Sequence, residues 1–200
     1  MLEAILYHEE AHGSIEAALA ASARRGPPRP RLLLVGINPG LRSAQIGHHF
    51  AGLGNPFWRL LHAAGMTPSL LAPEDDGRLA ELGIALTNVC ARPTRSAVEL
   101  TARDLDRGWG ILVHKCVRLK PGVVALVGLS LYTSYVRWIN RRQRGLVRPT
   151  PGPGAKPETI GNIPIFVVPN PSGLNASYPG FAAKLVWYQA LAGFVDALPG

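Results

Sequence analysis

Asn38 stands in the turn-rich run Gly36-Ile37-Asn38-Pro39-Gly40. Pro39 disfavours helical geometry at the residue before it and removes one backbone donor. The Asn38 amide is thereby held free at a turn, where it can hold a water or a ligand but cannot act as a strong base. Taken alone, the pentapeptide reads first as an ordinary Asn-Pro-Gly turn. The same segment continues through Gly47-His48-His49-Phe50, and Phe50 offers a flat face to a planar ligand. Adjacent histidines suit one tetrahedral metal site poorly, and no third ligand is near, so no metal site is expected here. Phe57 and Trp58 read as core residues of the helix that follows. Farther on, Pro171-Ser172-Gly173-Leu174-Asn175 carries a lone leucine at the tip of a turn-rich segment. Leu174 is either a wedge for a base stack or an apolar anchor that packs its own loop.

His8-Glu9-Glu10-Ala11-His12 matches the H-E-x-x-H spacing that puts two zinc ligands on one helix face with a carboxylate between them. No sheet precedes it to hold a substrate, and the next histidine is His48. It reads as a chance match on a solvated helix, and a zinc metallopeptidase through His8 and His12 stands as an alternative function. The phosphate-binding G-x-x-x-x-G-K-[ST], the dinucleotide G-x-G-x-x-G and the hydrolase G-x-S-x-G are all missing. No cofactor is expected.

These segments need elements to position them. Leu32–Gly36, Ile84–Val89, Val123–Gly128 and Ile163–Val168 are short apolar runs bounded by turns, as buried parallel strands are. Helical patterns cover residues 1–25, Phe57–Ala64, Glu74–Leu82, Asp104–Leu119 (with Asp104 in the N-cap region), Ser130–Arg142 and Phe181–Ala197. The rest reads as loop, including Ile37–Asn55 and the basic Pro/Gly stretch Leu146–Pro157. Strands alternating with helices predict an α/β fold, a three-layer αβα sandwich with a mostly parallel central sheet. Ligands of such sheets sit beyond the carboxyl ends of the strands. The loops Ile37–Asn55, Cys90–Thr101 and Asn170–Gly180 should therefore converge on one site. Gly26–Pro30 breaks the first helix, dividing the chain into an N-terminal helix and linker (1–30) and one domain (31–200).

The 200 residues carry a net charge of +8, unevenly spread. No acid lies between Glu16 and Glu74 or between Asp106 and Glu158, while arginine and lysine recur through both stretches. A polyanion explains this, nucleic acid above all; a solvated basic surface explains it equally. Cys90 and Cys116 are the only cysteines, which excludes a disulfide framework and a four-cysteine cluster. No apolar run approaches the roughly 20 residues that span a bilayer. No membrane association and no secretory signal are expected, and the expected protein is a cytoplasmic monomer.

Four of these segments together, GINPGLRSA (36–44), GHHFAGLGNPFW (47–58), LTNVCARPT (86–94) and VPNPSGLNA (168–176), resemble the mismatch-specific uracil/thymine DNA glycosylases of the uracil-DNA glycosylase superfamily. The match runs in order from about Leu32 to Leu191. The resemblance implies a metal-independent enzyme of base excision repair. Its substrate is double-stranded DNA, from which it excises uracil mispaired with guanine, with thymine or ethenocytosine as further candidates. It implies that Asn38 positions the attacking water and that Phe50 stacks on the extruded base. Asn88 resembles a base-contacting asparagine, and Ser43 and His49 match positions that distinguish the branches of the family. Ile37 is placed with them at the base, where N–H groups of the 37–43 loop could stabilise the departing anion. Gly173 and Leu174 resemble a wedge that fills the gap the base leaves, within a DNA-contacting segment Pro171–Asn175. Ala91 departs from the family, which carries Asp or Glu there, and this implies a slow enzyme that favours good leaving groups. A non-catalytic DNA-binding module of the same fold is the second alternative.

Overall fold

Leu32–Gly36 is apolar or small at every position and buried along its whole length. It forms β1, the second strand of a five-stranded sheet. The computed structural model describes residues 29–143, 145–172 and 177–198. β2 (Ile84–Asn88), β3 (Val123–Val127), β4 (Gly154–Ile160) and β5 (Ile163–Val168) complete the sheet in the order β2-β1-β3-β5-β4. The first four strands in that order pair in parallel, and β4 runs antiparallel at the edge. Among the described residues five α-helices accompany the strands: α1 (Leu41–Ile46), α2 (Phe57–Ala63), α3 (Ala102–Leu119), α4 (Leu129–Asn140) and α5 (Ala182–Asp196), with 3-10 segments at Pro73–Leu82 and Ala97–Glu99.

Side chains alternate across the pleat, so each strand feeds two cores. Leu32 and Leu34 of β1 face Phe57 and Leu61 of α2, Leu79 of the 3-10 segment and Tyr188 and Leu191 of α5. Leu33 and Val35 face Trp109, Leu112 and Cys116 of α3 and Leu131 and Tyr135 of α4. Burial on both faces is what makes the strands continuous apolar runs. The expected three-layer αβα sandwich is therefore the fold.

Three sequence expectations need correction. The segment Ile37–Asn55 is not all loop: α1 occupies Leu41–Ile46 and ends at Gly47, whose φ of 78° is left-handed. One and a half turns are too short to show a helical period in sequence. The stretch Leu146–Pro157 is not all loop either, since β4 begins at Gly154. Pro157 sits within β4 where the register shifts between Ala155 and Thr159, at a sheet edge, the place where a strand tolerates proline. Pairing with β5, not local propensity, makes this segment extended. At α3 the cap is Thr101, not Asp104. The Thr101 hydroxyl accepts from Asp104 N at 3.1 Å, and the Asp104 carboxylate accepts from Thr101 N at 2.9 Å. That backbone bond, together with Arg92, holds the Asp104 carboxyl down to about 2.

Where α3 crosses the exit of β2 the backbones nearly touch. A Cβ on Gly108 would lie 2.3 Å from Val89 O and 2.8 Å from Val89 Cγ1. Neither atom is the end of a flexible side chain. Gly108→Ala is expected to lower stability by about 1–3 kcal/mol, the usual cost of overpacking. Urea denaturation measures it, and an unchanged midpoint would show that α3 can lift away freely.

Candidate functional site

β1 is followed in space by β2 on one side and β3 on the other, so the sheet reverses its winding between β1 and β3. Chain exits diverge at such a point and leave a crevice beyond the carboxyl ends. A cavity of about 350 Å³ occupies it, with Asn38, Asn88 and Asn170 on its wall from the exits of β1, β2 and β5. The loop Ile37–Asn55 lines it, Cys90–Thr101 is bonded to that loop, and of Asn170–Gly180 the residue Asn170 reaches the wall. The first two are zipped together by backbone bonds, from Cys90 N to Ile37 O at 2.8 Å and from Thr94 N to Pro39 O at 3.3 Å.

The zipper determines which way Asn38 faces. Its Nδ2 donates to Arg92 O at 3.0 Å and to Thr94 Oγ1 at 2.7 Å. Arg92 O can only accept. The Thr94 hydroxyl spends its own proton on Ser96 O at 2.9 Å, so toward Asn38 it also only accepts. The amide cannot be reversed without setting oxygen against oxygen twice. Among the described residues nothing hydrogen-bonds Asn38 Oδ1, which is left as the acceptor edge of a fixed amide. Arg92 is fixed in turn, its Nη2 donating to Glu99 O at 2.7 Å and to Asp104 Oδ2 at 2.9 Å. The cap of α3 thus steadies the carbonyl that orients Asn38.

Phe50 lines the cavity, but one of its faces is taken. Phe57 stacks on it with ring centroids 3.7 Å apart and planes 16° apart. Phe57 is core, as its sequence suggests, and it also backs Phe50. Only one face of Phe50 is left for a planar ligand. Phe50 has a φ of 52°, a left-handed conformation that costs a residue with a Cβ about 1 kcal/mol or more. Restraints on both sides hold it there. On one side Asp76, only 3% exposed, accepts from His49 N through Oδ2 and meets His48 Nδ1 through Oδ1, each at 3.2 Å. On the other, Ala51 N donates to Ser43 Oγ at 3.0 Å and Arg42 Nε donates to Ala51 O at 2.9 Å.

Asp76 escaped the sequence reading because it lies beyond the intervening helix α2. Asp76→Asn keeps one acceptor but turns an amide N–H toward the His49 N–H or the His48 ring. It is expected to lower stability by about 1–3 kcal/mol. Thermal denaturation tests it. An unchanged melting temperature would show that the stack on Phe57 alone holds the loop.

Of the other residues singled out in the sequence, Ile37, Ser43, His49 and Asn88 all reach the cavity wall. Ser43 and His49 are buried, and the Ser43 hydroxyl is also a loop anchor. Pro171 and Ser172 follow Asn170, whose Oδ1 accepts from Ser172 N at 2.9 Å. Gly173, Leu174 and Asn175 lie outside the described residues, as do His8 and His12. Asn170 and Arg42 were not singled out. The Asn-Pro pair at 170–171, which repeats the one at 38–39, was the available signal for Asn170.

No Asp or Glu lines the cavity among the described residues, and Arg42 is its one permanently charged side chain. Cys90, at the exit of β2, has its thiol pushed up to about 11 by burial, so it stays protonated and is no nucleophile. Among the described residues no group of three or more His, Cys, Asp and Glu is placed to hold a metal ion. None of their helices is long and apolar enough to cross a membrane. The site can therefore hold a small planar polar ligand against Phe50, surround its edges with amides, and fix a water at Asn38. Residues 23–192 match the model of a protein family described as the uracil DNA glycosylase superfamily.

Proposed function

The chain belongs to the uracil DNA glycosylase superfamily, hence to the DNA glycosylases, hydrolases that act on DNA, and on that premise we propose that it excises uracil mispaired with guanine from duplex DNA. The observation that carries the proposal is the fixed Asn38 amide in a cavity that no carboxylate of the described residues lines. A base stacked in a duplex is out of reach and must first be extruded, which costs a few kcal/mol and least at a mispair. The extruded uracil lies on the open face of Phe50, with Asn88 at its polar edge. The C1′–N1 bond breaks with its electron pair going to N1, leaving an oxocarbenium-like sugar and an anionic base. Backbone N–H groups at the start of α1, which have no carbonyl partner within the helix, face the developing anion. Asn38 Oδ1 accepts a hydrogen bond from water and aims its oxygen at C1′. The water loses its proton only as the C1′–O bond forms, because an amide is too weak a base to take it earlier; the proton passes to solvent and the departing base anion takes one up, giving neutral uracil and an abasic sugar.

The rate then rests on how readily the base leaves as an anion. Ala91 fits this reading, since no acid stands at the position where the resembling family has one. The proposal includes a monomer acting in the cytoplasm, without metal or cofactor, on uracil before thymine.

The test is single-turnover release of free base from duplexes carrying 5-fluorouracil, uracil, ethenocytosine or thymine opposite guanine, and uracil opposite adenine, with chelator present. Release should be faster for 5-fluorouracil than for uracil, and faster for G·U than for A·U. Equal rates for 5-fluorouracil and uracil would overturn the leaving-group argument. Tight duplex binding with no release from any of these duplexes would make the protein a DNA-binding module. Loss of activity in chelator that zinc restores would point to metal chemistry.

A further inference from the structure

Beside the base cavity lies a second cleft, of about 310 Å³, on the far side of the Gly52–Asn55 strap. The two share Arg42, Phe50, Gly52 and Asn55, so a strand leaving the first enters the second. Two arginines stand on the cleft wall. Arg42 is tethered through Nε to Ala51 O, and among the described residues its Nη groups have no carboxylate. Arg59 lies with its guanidinium carbon 5.0 Å from the centre of the Phe181 ring. That contact restrains the guanidinium over the ring without using its N–H groups in an ion pair. Arg59 also makes no ion pair among the described residues. Glu74 is the one acid on the wall, and it is not within ion-pair distance of either arginine. The wall also carries exposed apolar side chains, Leu53 at the strap and Leu70, 87% and 57% exposed.

Two guanidinium groups without a carboxylate partner, in one cleft with exposed apolar side chains, suit a sugar–phosphate chain, which presents anions together with the carbon faces of its deoxyriboses. We propose that Arg42 and Arg59 bind phosphates flanking the extruded nucleotide, on the strand that carries it. The inference rests on the glycosylase reading for the identity of the strand. It adds the residues that grip the strand and the side of the base cavity on which they do so. Tethered guanidiniums give up less side-chain freedom on binding than mobile ones would. Phosphate contacts set register without reading sequence.

The experiment measures duplex affinity against salt for the full chain, with Arg42→Gln, Arg59→Gln, the double variant and Arg118→Gln. Arg118 lies at the end of α3 that feeds the start of β3, the opposite end of the sheet from the cavity. Each cleft substitution should reduce the slope of log affinity against log salt by about 0.9, the value for one lost phosphate contact on duplex DNA. It should weaken binding several-fold, alike for G·U and G·C duplexes, while Arg118→Gln leaves the slope in place. Neutral methylphosphonates are then placed singly at the phosphates next to uracil. One of them should weaken wild-type binding and have no further effect on Arg59→Gln. Slopes equal to wild type in both single variants, or methylphosphonate losses that simply add to those of the variants, overturn the proposal. These readouts are of binding alone. Absence of base release by the wild-type chain would count against the glycosylase reading, and the slopes would still decide whether the cleft grips phosphates.

Discussion

Asn38→Ala is expected to lower single-turnover release of uracil from G·U duplex by about two to four orders of magnitude while duplex affinity stays within a few-fold of wild type. An interaction made mainly in the transition state appears in the chemical step and not in binding. Asn38→Asp sharpens the test. From sequence alone a carboxylate there could take the proton from water, so partial activity or a gain is conceivable. The structure argues against a gain. Both amide hydrogens of Asn38 are committed to acceptors, Arg92 O and Thr94 Oγ1. A carboxylate has no hydrogen to give them. It would face the Arg92 carbonyl directly, and Thr94 could turn to donate only by giving up Ser96 O. Asn38→Asp should therefore be as impaired as Asn38→Ala at neutral pH. It should recover as pH falls, because the protonated acid regains one donor. Thr94→Val, which keeps the shape and removes the acceptor, should lose about tenfold, with Thr94→Ser near wild type; tenfold is about 1.4 kcal/mol, the order of one net hydrogen bond. Near-wild-type release by Asn38→Ala would remove Asn38 from the mechanism and leave the fold alone as evidence for function.

Gly36→Ala is expected to lower base release by about 10²-fold with little change in melting temperature. Gly36 pairs with Asn88 across β1 and β2. A Cβ on Gly36 would lie 2.4 Å from Asn88 Oδ1 and 3.4 Å from Phe50 Cζ. The backbone there is extended and accepts alanine without strain. The atom in the way is the end of a side chain, so Asn88 moves and the sheet does not. The displaced amide is one that reaches the uracil edge in the proposed complex, and a misplacement near 1 Å at a reacting site can cost about 10²-fold. Rates and melting curves on the same preparation decide it. A release rate close to wild type would mean that Asn88 does not hold the base. A fall of many degrees in melting temperature would mean that the new methyl displaces backbone instead.

The two substitutions act through the same contact between the exits of β1 and β2, and they separate its two products. One is the orientation of the Asn38 amide, proposed to hold the water, and the other is the placement of the Asn88 amide, proposed to contact the base. Gly108→Ala strains the neighbouring junction of α3 with Val89 without touching either amide. Loss of stability without loss of rate in that variant, set against loss of rate without loss of stability in Gly36→Ala, would show that fold and site are separable here.

The sequence by itself determined the layers and the end of the sheet where the turn-rich segments gather around a cavity. Four short apolar runs can be buried on both faces only in a sheet with helices on either side, and the turn-rich segments then fall at the carboxyl ends. Local signals sufficed because each of those strands is dominated by Leu, Val, Ile and Ala and is buried along nearly its whole length. Tertiary structure alone decided the rest. β4 exists because β5 offers an edge, and Lys156 is held beside it by the Gly152 and Thr150 carbonyls, at 2.6 and 3.3 Å. Phe50 keeps one open face because Phe57 covers the other, a contact between a loop and a helix that no period reveals. Asp76 acts on residues far before it in the chain, and Thr94 acts on Asn38 across two strands. A hydrogen-bonded amide has a direction only once its partners are placed, and those partners are brought to Asn38 by the pairing of strands rather than by any neighbour in sequence.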